Sequence, residues 1–128
     1  MTPSQRPKSA VTGLAHLRVG FGDDFYVGPG RADLLELIGE TGSISEAAKR
    51  MGMSYKRAWS LVQALNQGFG APLVETARGG AAQGGATVTA AGQDILRRYR
   101  HMQEATRLAI ADDVAAITRS HREAKGGT

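Results

Sequence analysis

Apolar positions recur along this chain first at the period of a strand and then at the period of a helix. In LAHLRVGFGDDFYVG (14–28) the alternation is partial, with Leu17 and Val19 on one arm and Phe25 and Val27 on the other. A Gly-Asp-Asp turn separates the arms, so the stretch predicts a β-hairpin. Pro29 and Gly30 then break the chain. From about Arg31 to Glu40, Leu34, Leu35 and Ile38 form the stripe of a short helix, which Gly42 ends.

The stretch SISEAAKRMGMSYKRAWSLVQALN (43–66) carries the most information. Ser43 and Glu46 form an S-x-x-E capping box that starts a helix with its first N–H groups satisfied. Ala48 precedes Gly52 by four residues, so a second helix can cross closely while glycine supplies the turn. Ser54 caps that second helix. Ala58, Leu61, Val62 and Leu65 fall on one face of it, and Lys56, Ser60, Gln63 and Gln67 on another. One face packs and the other reaches outward, as in a helix-turn-helix.

After Gly68 and Gly70, PLVET predicts a short strand, and Thr87, Val88 and Thr89 a returning one. RGGAAQGGA between them has four glycines in nine residues and no large side chain to pack. Strand, glycine-rich loop and strand after such a helix is the layout of a wing. From Ala90 to about Ser120 the stripe Ile95, Leu96, Tyr99, Met102, continued by Leu108, Ile110, Val114 and Ile117, predicts one long helix. At roughly 30 residues it would span ~45 Å, more than a small domain covers. An identical subunit is expected to cover the rest, with Ile95, Tyr99, Met102, Ile110, Val114 and Ile117 as the dimerisation residues.

The expected architecture is mainly α: a winged helix-turn-helix with an N-terminal β-hairpin, a two-stranded wing and a long C-terminal dimerisation helix. Residues 14–120 form the domain, 1–13 a disordered arm and 121–128 a frayed tail. At 128 residues the chain can bury one core without crosslinks. It has no cysteine, which excludes disulfides, thiolate zinc sites and cysteine nucleophiles and fits a reducing cytoplasm. No apolar run approaches ~18 residues, and the N-terminus lacks the apolar segment of a signal peptide. A cytoplasmic protein with no membrane partner is expected.

The net charge of +4 matters less than its placement. Between Glu46 and Glu75 there is no acidic residue, while Lys49, Arg50, Lys56 and Arg57 lie there. This is the footprint of a phosphate binder, set against the plainer reading of a solvated basic face. Double-stranded DNA is therefore the expected partner. Ser54, Tyr55, Lys56 and Arg57 occupy the first turn of the recognition helix, the end that meets base edges. Lys and Arg donate to guanine O6 and N7, and Ser60 reaches a phosphate or base one turn on. Gln63 lies on the same face, and Ser43 caps the helix before it. Arg78, Gly79 and Gly80, at the base of the wing, are expected to contact flanking backbone or minor groove.

Trp59, the only tryptophan, borders the packing face, and a core position is expected for it. A phosphate-binding loop is excluded because no G-K-[ST] follows the glycines. The three histidines, His16, His101 and His121, are scattered. No metal site, cofactor or catalytic constellation is expected, and the protein does not read as an enzyme.

Specific motifs lie in order along the chain. They are GSIS with an alanine pair (Gly42 to Ala48), SYK-x-AW (Ser54 to Trp59), LN-Q (Leu65 to Gln67), LVE (Leu73 to Glu75), GG-x₃-GGA (Gly79 to Ala86) and T-x-x-G (Thr89 to Gly92). Through them the stretch from about His16 to Met102 resembles the DNA-binding domain of the ModE family, the molybdate-responsive transcriptional regulators. The resemblance implies a homodimer on a pseudo-palindromic operator, linked to molybdenum metabolism. LysR-type regulators share a similar module but usually lack the glycine-rich wing. Full-length family members carry C-terminal β-barrel domains that bind molybdate. No strand-rich segment follows Thr89 here, so the chain is expected to lack them and to rely on a separate molybdate-sensing partner for any such signal. The alternatives are a non-specific DNA-binding or protein-interaction module of the same fold, and a small-oxyanion sensor with its pocket between the long helix and the N-terminal hairpin.

Overall fold

The structure, a computed structural model, describes residues 13–77 and 85–126. A hairpin of β1 (Val19–Gly20) and β2 (Tyr26–Val27) leads into α1 (Pro29–Thr41), α2 (Ile44–Met51) and α3 (Tyr55–Gly68). A second hairpin, β3 (Val74–Thr76) and β4 (Ala86–Val88), precedes α4 (Ala90–Ala109) and α5 (Ala111–Gly126). Both strand pairs are antiparallel, with Val19 opposite Val27 and Val74 opposite Val88. The expected winged helix-turn-helix layout is present.

One core holds the first three helices to the second hairpin. Leu34, Leu35 and Ile38 of α1 meet Ile44, Ala47 and Ala48 of α2, then Ala58, Val62 and Leu65 of α3, under a lid of Leu73, Val74, Ala86 and Val88. The alanines let the helices approach closely. Gly52 closes α2 with φ 71°, a left-handed conformation that strains a residue carrying Cβ. Thr89 locks the hairpin to α4: its hydroxyl donates to the Pro72 carbonyl at 2.7 Å and accepts from the Gly92 N–H at 3.0 Å. Gly92 then packs so tightly that an added Cβ would sit 2.4 Å from the Leu73 carbonyl oxygen. The T-x-x-G spacing thus records a close approach.

Four expectations need correction. Pro29 and Gly30 begin α1 instead of breaking the chain, because proline at the first helical position gives up an N–H that has no partner there. The long helix is two helices. Ile110 lies between them with φ −102° and ψ 5°, outside helical geometry. Arg107 lies in the last turn of α4 and Asp112 and Asp113 in the first turn of α5, charges that suit a helix C-terminus followed by a new N-terminus. Helix α5 runs on to Gly126, through most of the expected frayed tail.

The fourth correction concerns Tyr99, expected at a dimer surface. It is 1% exposed within its own subunit, in a second cluster with Val27 and Ala32. Its hydroxyl donates to the Leu17 carbonyl at 2.6 Å, joining α4 to the residues before β1. Burial pushes its phenol above the usual value, although Arg100 opposes the shift. Next to it, Arg100 of α4 reaches Asp33 at 2.8 Å and Glu36 at 2.7 Å on α1. Burial works against this guanidinium's charge, but the hydrogen bonds it donates to the two carboxylates outweigh that and hold the group more firmly protonated.

Candidate nucleic-acid interface

Helix α3 is positioned from both ends. At its start the Ser54 hydroxyl accepts from the Arg57 N–H at 3.1 Å, and in α2 the Ser43 hydroxyl accepts from the Glu46 N–H at 3.0 Å. Both serines therefore act as the caps their spacing predicted. Near the far end Asn66 clamps β3: its amide NH₂ donates to the Val74 carbonyl at 2.9 Å, while its oxygen accepts from the N–H groups of Leu73 (2.8 Å) and Val74 (3.0 Å). These three bonds fix the hairpin to α3. Asn66 sits in the LN-Q motif, but its role is invisible until the strand is placed beside the helix.

With Ala58, Val62 and Leu65 buried, the opposite side of α3 faces solvent. Tyr55, Lys56, Arg57 and Ser60 are exposed there, and Gln63 is half-buried one turn on. Among the described residues, no carboxylate pairs with Lys56, Arg57 or Lys49, whereas Arg50 reaches Glu46 at 3.5 Å. The exposed face combines unpaired cations with hydroxyl and amide groups. That chemistry suits phosphate oxygens and base edges.

Trp59 departs from expectation. It lies outside the core with 37% exposure, and its ring stacks on Tyr55, itself 54% exposed, with centroids 6.4 Å apart and planes 15° from parallel. The small Ala58 occupies the packing position beside it, leaving the indole to the flank of the outward face. Arg78, Gly79 and Gly80 lie outside the described residues. The strands that lead to them end at Thr76 and begin again at Ala86, where the Ala86 N–H donates to the Gly42 carbonyl at 2.9 Å. The base of the hairpin is thereby held beside the start of α2.

The expected dimerisation residues differ in placement, and Leu108 of the same stripe is exposed beside them. Ile95 packs half-buried against the core, while Tyr99 is buried in the second cluster. Met102 and Ile117 are exposed, Ile117 to 69%. Ile110 and Val114 line an open groove of about 930 Å³ together with Leu14, Ala111, Ala115, Arg119 and Arg122.

Residues 31–93 match the family model described as the bacterial regulatory helix-turn-helix protein, lysR family. The molybdenum-pterin-binding protein MopB of Rhodobacter capsulatus is 51% identical over 57% of this chain and 27% of its own length. The DNA-binding transcriptional dual regulator ModE of Escherichia coli K12 is 43% identical over 58% of this chain and 28% of its own. This chain thus aligns with less than a third of the length of these relatives. A solved CbnR_DBD-DNA complex superposes with a TM-score of 0.53 at 30% identity, covering 68% of this chain and 95% of that one.

Proposed function

We infer, because this chain carries the N-terminal winged helix-turn-helix DNA-binding domain of the ModE family, that it is a sequence-specific transcriptional regulator acting in the cytoplasm on double-stranded DNA. The observation that carries this reading is the outward face of α3, where Lys56 and Arg57 are exposed and, among the described residues, no carboxylate pairs with them. In the proposed mode, residues 54–67 enter the major groove. Ser54, Lys56, Arg57, Ser60 and Gln63 meet base edges and phosphates, and the Ser43 end of α2 approaches the backbone. Arg78, Gly79 and Gly80 follow the flanking strand.

The protein acts as a homodimer in this reading. Support comes from the exposed Met102, Leu108 and Ile117 and from the groove beside Ile110 and Val114. Two recognition helices about 34–36 Å apart would then read half-sites one turn apart in a pseudo-palindromic operator. The names of the relatives suggest a link to molybdenum metabolism, with a separate molybdate-sensing partner supplying the signal.

The test is in vitro selection of bound fragments from sheared genomic DNA at near-physiological salt. Enrichment of a two-fold-symmetric motif is expected. Uniform recovery of all fragments would overturn sequence-specific regulation in favour of a general DNA-binding role.

A further inference from the structure

The Tyr55–Trp59 pair has no evident work in the fold. Ala58, Val62 and Leu65 already fill the packing side of α3, and each is buried. The two rings instead lie four residues apart on its exposed flank, stacked on each other. They are contiguous with the polar face: Lys56 and Ser60 form the next stripe around the helix, and Gln63 follows Trp59 by one turn. A duplex held by Lys56 and Ser60 lies next to the stripe that carries these rings. A protein partner finds less to recognise here, since the neighbouring sequence carries cations and no acid, which favours a polyanion.

We propose that Tyr55 and Trp59 are specificity-determining residues that read the C5-methyl groups of thymines in the major groove. This rests on the regulatory reading above and deepens it. The major groove distinguishes A·T from G·C partly through that methyl, which only an apolar contact can recognise. Lys56, Arg57, Ser60 and Gln63 cover the hydrogen-bonding edges; among the exposed residues of this face, the two rings supply the apolar surface. The ring centroids are 6.4 Å apart, close to two base steps of about 3.4 Å each. The pair therefore addresses thymines about two steps apart in each half-site.

The experiment uses the duplex carrying the most enriched selected motif, and copies in which single thymines are replaced by 2′-deoxyuridine. That exchange removes one methyl and leaves every hydrogen-bonding edge intact. Wild-type protein is expected to bind about four-fold more weakly at one or two positions per half-site, the worth of one buried methyl-sized group. Trp59→Ala should bind the parent duplex more weakly and show no further loss at a position read by Trp59. Trp59→Phe should restore the preference.

Because Trp59 is the only tryptophan, its fluorescence should also change on saturation with the parent duplex. Indifference to every deoxyuridine replacement, equal losses in wild type and Trp59→Ala, or unchanged emission would overturn the proposal while specific DNA binding stood. Should no motif be enriched, the regulatory reading fails separately. Equal retention of thymine- and uracil-containing random duplexes would then overturn the proposal for the rings as well.

Discussion

Helices α3 and α4 are both rich in cations, and they use them in opposite ways. On α4, Arg97 and Arg98 pair with Asp94, Arg100 with Asp33 and Glu36, and Arg107 with Glu104. Hydrogen bonds from Arg98 and Arg107 hold the Asp94 and Glu104 carboxyls below their usual values, although desolvation opposes both shifts. On α3, Lys56 and Arg57 face solvent within a stretch of sequence free of acidic residues. Positive charge beside carboxylates is spent within the fold. Positive charge kept away from them remains available to a polyanion.

The largest expected effect tests that contrast directly. Replacing both Lys56 and Arg57 with alanine should weaken binding to the selected operator by at least about 100-fold. It should also flatten the salt dependence by nearly two units of log–log slope if both cations neutralise phosphates. The thermal melt should stay unchanged, because both side chains are exposed. Unchanged affinity in a gel-shift titration would show that α3 does not face DNA.

Gly92→Ala tests the opposite arm, where the fold and not binding is at stake. The added Cβ would collide with the Leu73 carbonyl and with Val88 Cγ1 at 2.7 Å, and overpacking of this kind costs about 1–3 kcal/mol. Urea unfolding should register the loss. An undiminished midpoint would mean that the hairpin and α4 separate easily.

Smaller effects belong to the junction of α1 and α4. Arg100→Ala should cost about 1 kcal/mol or less, since its partners are part-exposed, and should leave the salt slope of DNA binding unaltered. A changed slope would place Arg100 at the DNA after all.

Tyr99→Phe removes the bond to Leu17, worth about 0.5–1.5 kcal/mol, and also a pH dependence. Its folded phenol titrates above the usual 10.0, so the fold favours the neutral form. The stabilisation is complete below pH 10 and is lost as pH rises through the raised value. Wild-type melting temperature should fall across that alkaline range more steeply than that of the phenylalanine variant. Parallel pH curves would show that Tyr99 is not the responsible group.

Local signals made much of the fold legible. The Ser43 and Ser54 caps, the Gly52 turn and the Ala58, Val62 and Leu65 stripe all name structure that a few neighbouring residues decide. The same spacing put Tyr55, Lys56, Arg57 and Ser60 on an outward face. The stop at Ile110 was legible too, in Arg107 followed by Asp112 and Asp113, but an apolar stripe running across the junction masked it. Trp59 misled for a different reason. Its size argued for burial, yet burial of a flank position depends on which neighbour arrives beside it.

The sequence by itself determined where α2 and α3 begin, which faces are apolar, and where acidic residues are kept away, because hydrogen-bond capping and periodicity act over a few residues. Tertiary structure alone decided that Asn66 clamps β3, that Tyr99 and Arg100 bind α4 to its own domain, and that Trp59 stays in solvent. Those outcomes depend on groups distant in sequence, such as Leu17 and Tyr99, meeting at hydrogen-bond distance. Only the packed chain fixes such distances.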